Sequence, residues 1–319
     1  MKKLIYSILL IIFGFASCKR DTNVFVPDAG QQLDSAWTAN VTASNQVLIL
    51  SKQLEGSLST TTFNSADTLL STNAGVQFIF PKNSLTVSGT ATSGTVKTEY
   101  ILVQKKGDFI RYGIPTVYNR LPLESGGAIH IKLTSNNQVV TLADYKKITI
   151  KYKDSEPKSN MRVFYGNSPV ITNSLDFSWL LATDQSLVKV WDSSTFKGYA
   201  VETYKTGWIN VDRPLLDSIN ARVEVKAYLP NLFSNANTAV YVVFNNYKTV
   251  VQLSGNSTGR YFSFPNIPPG PDVKFISISK VGGSYYLGVK AEKISPTTAV
   301  FIKPELTTMP AIQSFLNSL

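Results

Sequence analysis

Chemistry in a polypeptide begins with its titratable and nucleophilic side chains, and these 319 residues carry one cysteine, Cys18, and one histidine, His130. A zinc centre built on Cys and His has too few ligands to draw on, and no metal site is expected. A Ser–His–Asp arrangement would have to recruit His130. That residue alternates with Ile129 and Ile131, which places it on the opposite face of a strand and predicts a solvent-facing ring. Asp108, Glu124, Asp212 and Asp217 are available for paired-carboxylate hydrolysis, yet no spacing among them sets two across a cleft. Asp212 beside Arg213, with Asn210 nearby, reads as turn capping after a strand, and as a small polar ligand site only in second place. Gly126-Gly127 lacks the lysine and helix that follow a phosphate-binding loop. The expectation is a chain without catalytic residues and without a cofactor.

Four tryptophans, Trp37, Trp179, Trp191 and Trp208, offer binding rather than bond-breaking chemistry. Trp208 sits between Gly207 and Ile209 in a strand-like run and reads as core. Trp179 and Trp191 flank a polar segment, where exposed indole faces can stack on sugar rings. They are the candidate ligand-binding residues, and a glycan is their candidate ligand.

At the N-terminus Lys2 and Lys3 precede an apolar run over residues 4–15, followed by Ala16-Ser17-Cys18. The run is too short to span a bilayer permanently. Charged start, short apolar stretch and small residues before the cysteine together resemble a bacterial lipoprotein signal over residues 1–17, with Phe15 in place of leucine and Ser17 in place of glycine or alanine. The resemblance implies cleavage before Cys18, a diacylglycerol thioether on its sulfur, and an amide-linked acyl chain such as palmitate. Three such chains contribute on the order of 30 kcal/mol of membrane affinity at ~0.8 kcal/mol per methylene. The implied partner is the membrane, and the implied location is the bacterial cell envelope, at the outer membrane.

The formal charge is +10, and cleavage after Ser17 would remove Lys2 and Lys3 from it. The lysines are scattered, and the densest cluster, Lys146, Lys147, Lys151 and Lys153, falls in and beside an alternating strand, where a solvated edge is the default. Stacking aromatics interleaved with a basic patch are not evident, so nucleic acid is not an expected partner. Attraction to anionic lipid or envelope polysaccharide is the more natural use of the charge.

Hydrophobic residues at 43% with charged residues at 16% describe a folded chain. Short runs of β-branched and aromatic residues, broken by Gly, Pro, Asn and Ser, predict an all-β fold of two or three antiparallel β-sandwich domains. Residues 18–71 read as a tether with a poorly defined N-terminal segment, 72–155 as a β domain, 156–206 as a connecting β region, and 207–319 as a C-terminal sandwich. Asn245-Asn246 and Gly282-Gly283 read as two-residue hairpin turns. After Pro310, the spacing of Ile312, Phe315, Leu316 and Leu319 predicts a short terminal helix.

Within 72–155, Gly75-Val76 leading to Phe80-Pro81, then Gly94-Thr95-Val96, Gly113-Ile114-Pro115-Thr116 and Leu123-Glu124-Ser125-Gly126-Gly127 resemble the ZU-5 domain, a β module of ankyrins, zonula-occludens proteins and netrin receptors. The last two blocks, with Gly207-Trp208-Ile209-Asn210-Val211-Asp212-Arg213, are similar to those of ZU-5-like lipoproteins of bacterial envelopes. The resemblance singles out Pro115, Thr116, Glu124, Gly126, Gly127, Trp208, Asn210 and Asp212 as structural motif residues. Relatives that cleave themselves do so at His-Phe-Ser; here His130 is followed by Ile131-Lys132, so that activity is not carried over. Gly259, Tyr261, Phe264, Asn266-Ile267-Pro268 and Gly270 are similar to carboxypeptidase-regulatory or transthyretin-like sandwiches, with one residue inserted between Tyr261 and Asn266. Together these features lead us to expect a non-catalytic envelope lipoprotein that binds or scaffolds another protein, with glycan binding as the alternative.

Overall fold

Runs of β-branched and aromatic residues become strands because their side chains pack well on a pleated surface. The computed structural model describes residues 36–167, 177–193, 196–216 and 221–319, all within one compact unit. Cys18 and Asp217 lie outside the described residues. The fold is all-β, built from antiparallel sheets with a short C-terminal helix.

The first sandwich is organised by one long strand, Leu121–Ser135. Thr95–Val103 pairs along one edge of it and Gly207–Pro214 along the other. Ser59–Asn64 extends the sheet beyond the first of these neighbours, and Arg162–Gly166 with Trp179–Leu181 extends it beyond the second, in a ten-stranded sheet. Facing it is a five-stranded sheet in the order Leu187–Asp192, Lys197–Thr203, Ile148–Lys153, Gln77–Ile79, Leu69–Ser71. Ile129, Ile131, Leu133, Val163 and Ile209 from the large sheet meet Phe78, Ile148, Ile150, Tyr152 and Val201 from the small one.

The second sandwich is a curled eight-stranded sheet. Val225, Val240, Val242, Phe244, Phe262, Val273 and Phe275 share its interior. Its one departure from antiparallel pairing among the described residues is Ala299–Phe301 against Val223–Tyr228. A third core joins the sandwiches. Ile101, Val103, Leu123 and Trp208 on the back of the large sheet meet Ala239, Tyr241, Ile276 and Ile278. Three helices among the described residues fill the remainder: α1 (Gln46–Leu54), α2 (Lys106–Arg111) and α3 (Met309–Asn317).

Helix α3 follows the sequence expectation. Thr308 caps it by accepting from the Ala311 amide, Pro310 sits in the first turn, and Ile312 and Leu316 are buried. The Gly282-Gly283 turn also forms, with Val281 paired to Ser284 and Gly282 at φ 56°. The Asn245-Asn246 turn does not. Val243 pairs with Val250 and the Phe244 amide reaches the Thr249 carbonyl, so residues 245–248 all lie in the loop. Tyr247 is drawn from the expected strand because its ring packs against the second sandwich, 6.5 Å from Phe244.

The expected domain limits also shift. The described part of 18–71 contains α1 and two strands, and Ser59–Asn64 escaped notice because its pattern is polar apart from Phe63. The region 156–206 supplies strands to both sheets of the first sandwich. Gly207–Pro214 belongs to that sandwich too, and the second begins at Val223.

Gly107 of α2 is buried where an added Cβ would meet the Leu316 backbone carbonyl of α3. Gly107→Ala is expected to cost about 1–3 kcal/mol by overpacking, read as a lower urea midpoint. Gly283→Ala, with open space around its Cβ position, is expected to stay within about 0.5 kcal/mol of the parent.

Candidate functional site

The motif blocks meet. Gly207–Pro214 runs antiparallel to Leu121–Ser135, with Arg213 opposite Glu124 and Asp212 opposite Ser125. The register then slips, so that Val211 faces Gly127 and Gly126 is left without a partner in a β-bulge. Both glycines are required there. A Cβ on Gly126 would lie 2.7 Å from the Tyr199 ring, and Gly127 has φ 130°.

The bulge is closed by a chain of buried hydrogen bonds. The Gly127 amide donates to Ser125 Oγ at 3.0 Å, Ser125 Oγ donates to Asn210 Oδ1 at 3.0 Å, and Asn210 Nδ2 donates to Asp212 Oδ2 at 2.6 Å. Asp212 is fully buried, and its Oδ1 has no hydrogen-bond partner. Burial pushes its carboxyl well above the ordinary 3.8; the Ser125 hydroxyl and the Lys248 ammonium pull it down, and Glu124 adds to the rise. Burial thus favours the neutral acid over the carboxylate at this position. Around it, Arg213 holds Glu124 Oε2 through Nε at 2.8 Å and Nη2 at 2.6 Å, and Lys248 holds Asp154 at 3.0 Å. Three carboxyls that look unrelated in the sequence thus share one neighbourhood beside a cavity of about 350 Å³. Two are ion-paired and one is sealed inside.

Pro115 and Thr116 extend the junction to the second sandwich. The Thr116 amide donates to the Val250 carbonyl at 2.8 Å, and the Val250 amide returns a bond to Thr116 Oγ1 at 2.9 Å. Thr249 Oγ1 donates to the Leu123 carbonyl at 2.8 Å. These positions hold the two sandwiches together, which is a structural role.

The aromatic candidates separate. Trp208 is buried, as its position in the strand predicts. His130 is a correction: it is buried rather than solvent-facing, 5.0 Å from Trp208 and edge to face. Alternation identified the opposite face correctly, but the third core covers that face as well. Trp179 is a second correction. It is 1% exposed, packs edge to face on Phe177 at 4.8 Å, and donates Nε1–H to the Pro115 carbonyl at 2.9 Å, so its indole is not a free platform. Trp37 packs 5.1 Å from Phe262. Trp191 alone keeps substantial exposure, 40%, with the Lys151 ammonium 3.6 Å from its ring centre.

A cleft of about 690 Å³ opens between the sandwiches. Pro115, Val117 and Trp179 line one wall, Leu253, Phe262 and Phe264 the other, and Val47 and Leu48 of α1 the floor. Asn40, Asn119, Asn235 and Gln252 add amides, and Arg120 is the ionisable group among the described lining residues. The lining comes from five separated stretches, which is why sequence reading missed it. The one legible trace is Asn119-Arg120, a two-residue turn with φ 47° and 60°. No group of three His, Cys, Asp or Glu suited to a metal occurs among the described residues.

Asp212→Asn tests the junction. A carboxyl raised in the fold contributes stability that is complete below 3.8 and is lost as pH rises through its shifted value. The asparagine keeps an acceptor for Asn210, so the variant is expected to match the parent at low pH and to become progressively more stable than it as pH rises. Urea denaturation across a pH series reads this difference; a difference independent of pH would contradict a carboxyl raised by burial. Comparison with models of protein families, with curated proteins and with solved structures finds nothing that matches this chain.

Proposed function

We propose that this chain is a non-catalytic, lipid-anchored protein of the bacterial cell envelope that binds or scaffolds another envelope protein through the cleft between its sandwiches. The anchor rests on the lipoprotein-like start and Cys18; the ZU-5-like blocks favour protein recognition over chemistry. One observation carries the choice of ligand. At the cleft, the Asn235 side chain holds the main chain of this protein's own leading segment, accepting from the Thr38 amide at 3.0 Å and donating to the Thr38 carbonyl at 2.7 Å. An amide side chain used in this way reads polypeptide by its main chain, and the neighbouring apolar walls can take alternate side chains. The remaining amides and the Arg120 guanidinium supply hydrogen bonds and a charge contact without a proton carrier suited to neutral pH.

Two experiments test this reading. A photo-crosslinking residue in place of Ser254, at the cleft rim, is expected to give a discrete protein adduct on intact cells; no adduct, or lipid alone, would overturn the cleft assignment. Cys18→Ala is expected to abolish acyl labelling and to move the chain from the membrane pellet to the soluble fraction, and mass spectrometry showing an unmodified thiol in the native protein would remove the anchor.

A further inference from the structure

The outer face of the five-stranded sheet has a composition of its own, and the register fixes it. Directly opposed residues share a face. Ile150 and Val201, which are paired, point into the core, so their neighbours Lys151 and Ala200 point out. Lys189 lies opposite Ala200, which lies opposite Lys151; Trp191 lies opposite Gly198, which lies opposite Lys153. Two adjacent rows therefore read lysine, small residue, lysine and tryptophan, small residue, lysine. Ala200 and Gly198 raise almost nothing above the backbone, and both are buried among the taller side chains around them. Gly198 cannot be larger, because a Cβ there would strike the Tyr152 carbonyl.

The charge on this face is one-sided. Glu202 is the single carboxylate at the outward positions of these five strands, and it is already bound by Lys189 at 2.7 Å and Lys147 at 3.9 Å. Lys151 rests its ammonium on one face of the Trp191 ring and Phe196 packs edge to face against the indole at 6.4 Å, contacts that restrain the ring. Lys189 and Lys151 stand two strands apart, about 9.5 Å by the spacing of a sheet, a separation suited to charges on alternate sugars of an extended chain.

We propose that this face binds an acidic polysaccharide, with a pyranose ring stacked on the face of Trp191 that Lys151 leaves open and its carboxylates or sulfates paired with Lys151, Lys153 and Lys189. A neutral glycan would leave Lys151 and Lys153 without a carboxylate partner, and a compact anion would leave the indole unused. The site shares no residue with the cleft, so either can fail alone.

Affinity electrophoresis of the detergent-solubilised full chain through gels containing polygalacturonate tests the proposal, with dextran as the neutral comparison. Retardation is expected in polygalacturonate only, weakening with salt. Trp191→Ala, and separately Lys151→Gln combined with Lys153→Gln, should each weaken it about tenfold or more, while Trp191→Phe retains most of it. An unchanged urea midpoint shows that each variant is folded. No retardation, equal retardation in dextran, or retardation that survives Trp191→Ala would overturn the proposal, the last by reducing it to plain polycation attraction. Phosphatidylglycerol vesicles provide the remaining arm: binding to them, lost in the same variants and without polygalacturonate binding, would assign the face to lipid headgroups instead.

Discussion

Over residues 122–131 the strand Leu121–Ser135 has no wet face, and the rest of the molecule follows from that constraint. One side of it lies in the core of the first sandwich and the other in the core between the sandwiches. Such a strand needs partners on both edges to satisfy its backbone and packing layers above and below. The chain supplies the edges from distant places, Thr95–Val103 and Gly207–Pro214. It supplies the second layer with three short helices and the back of another sheet. The price of enclosing polar motif residues in this position is met by pairing: Ser125, Asn210 and Asp212 bond to one another, and Glu124 takes Arg213.

What could be read in advance follows the range of the forces involved. Local signals were legible: the start of α3 at Pro310, the glycine turn at 282–283, and the burial of Trp208 depend on a few neighbouring residues. Signals that require knowing the layer above were not. His130 alternates correctly with its neighbours, but nothing in its own segment says that helices cover the second face. Trp179 resembles an exposed aromatic until Phe177 and the Pro115 carbonyl are brought to it. The junction was half legible. The motif blocks singled out Gly126 and Gly127 as structural residues, while the convergence of Asp212 with Ser125 needed the register of two strands more than eighty residues apart. The cleft was illegible because its lining is gathered from five stretches.

The two surfaces put forward for binding differ in physical character. The cleft is concave, with apolar walls interrupted by amide side chains; the outer sheet face is basic, with a single indole. The rigid junction between the sandwiches fixes the geometry of the first. The second depends only on the twist and register of one sheet, and it would persist in a fragment that kept the first sandwich intact.

The grip of Asn235 on Thr38 also decides where mechanical load enters. Ser234 Oγ donates to the Ala36 carbonyl at 3.1 Å, and the Val47 amide donates to the Ala236 carbonyl at 3.1 Å. The leading segment is thereby stitched to the Ser234–Ala236 stretch before it reaches any strand of the first sandwich. Tension applied from the N-terminal side is borne first by the later-encoded half of the molecule, so the earlier half is shielded from pulling until those stitches tear.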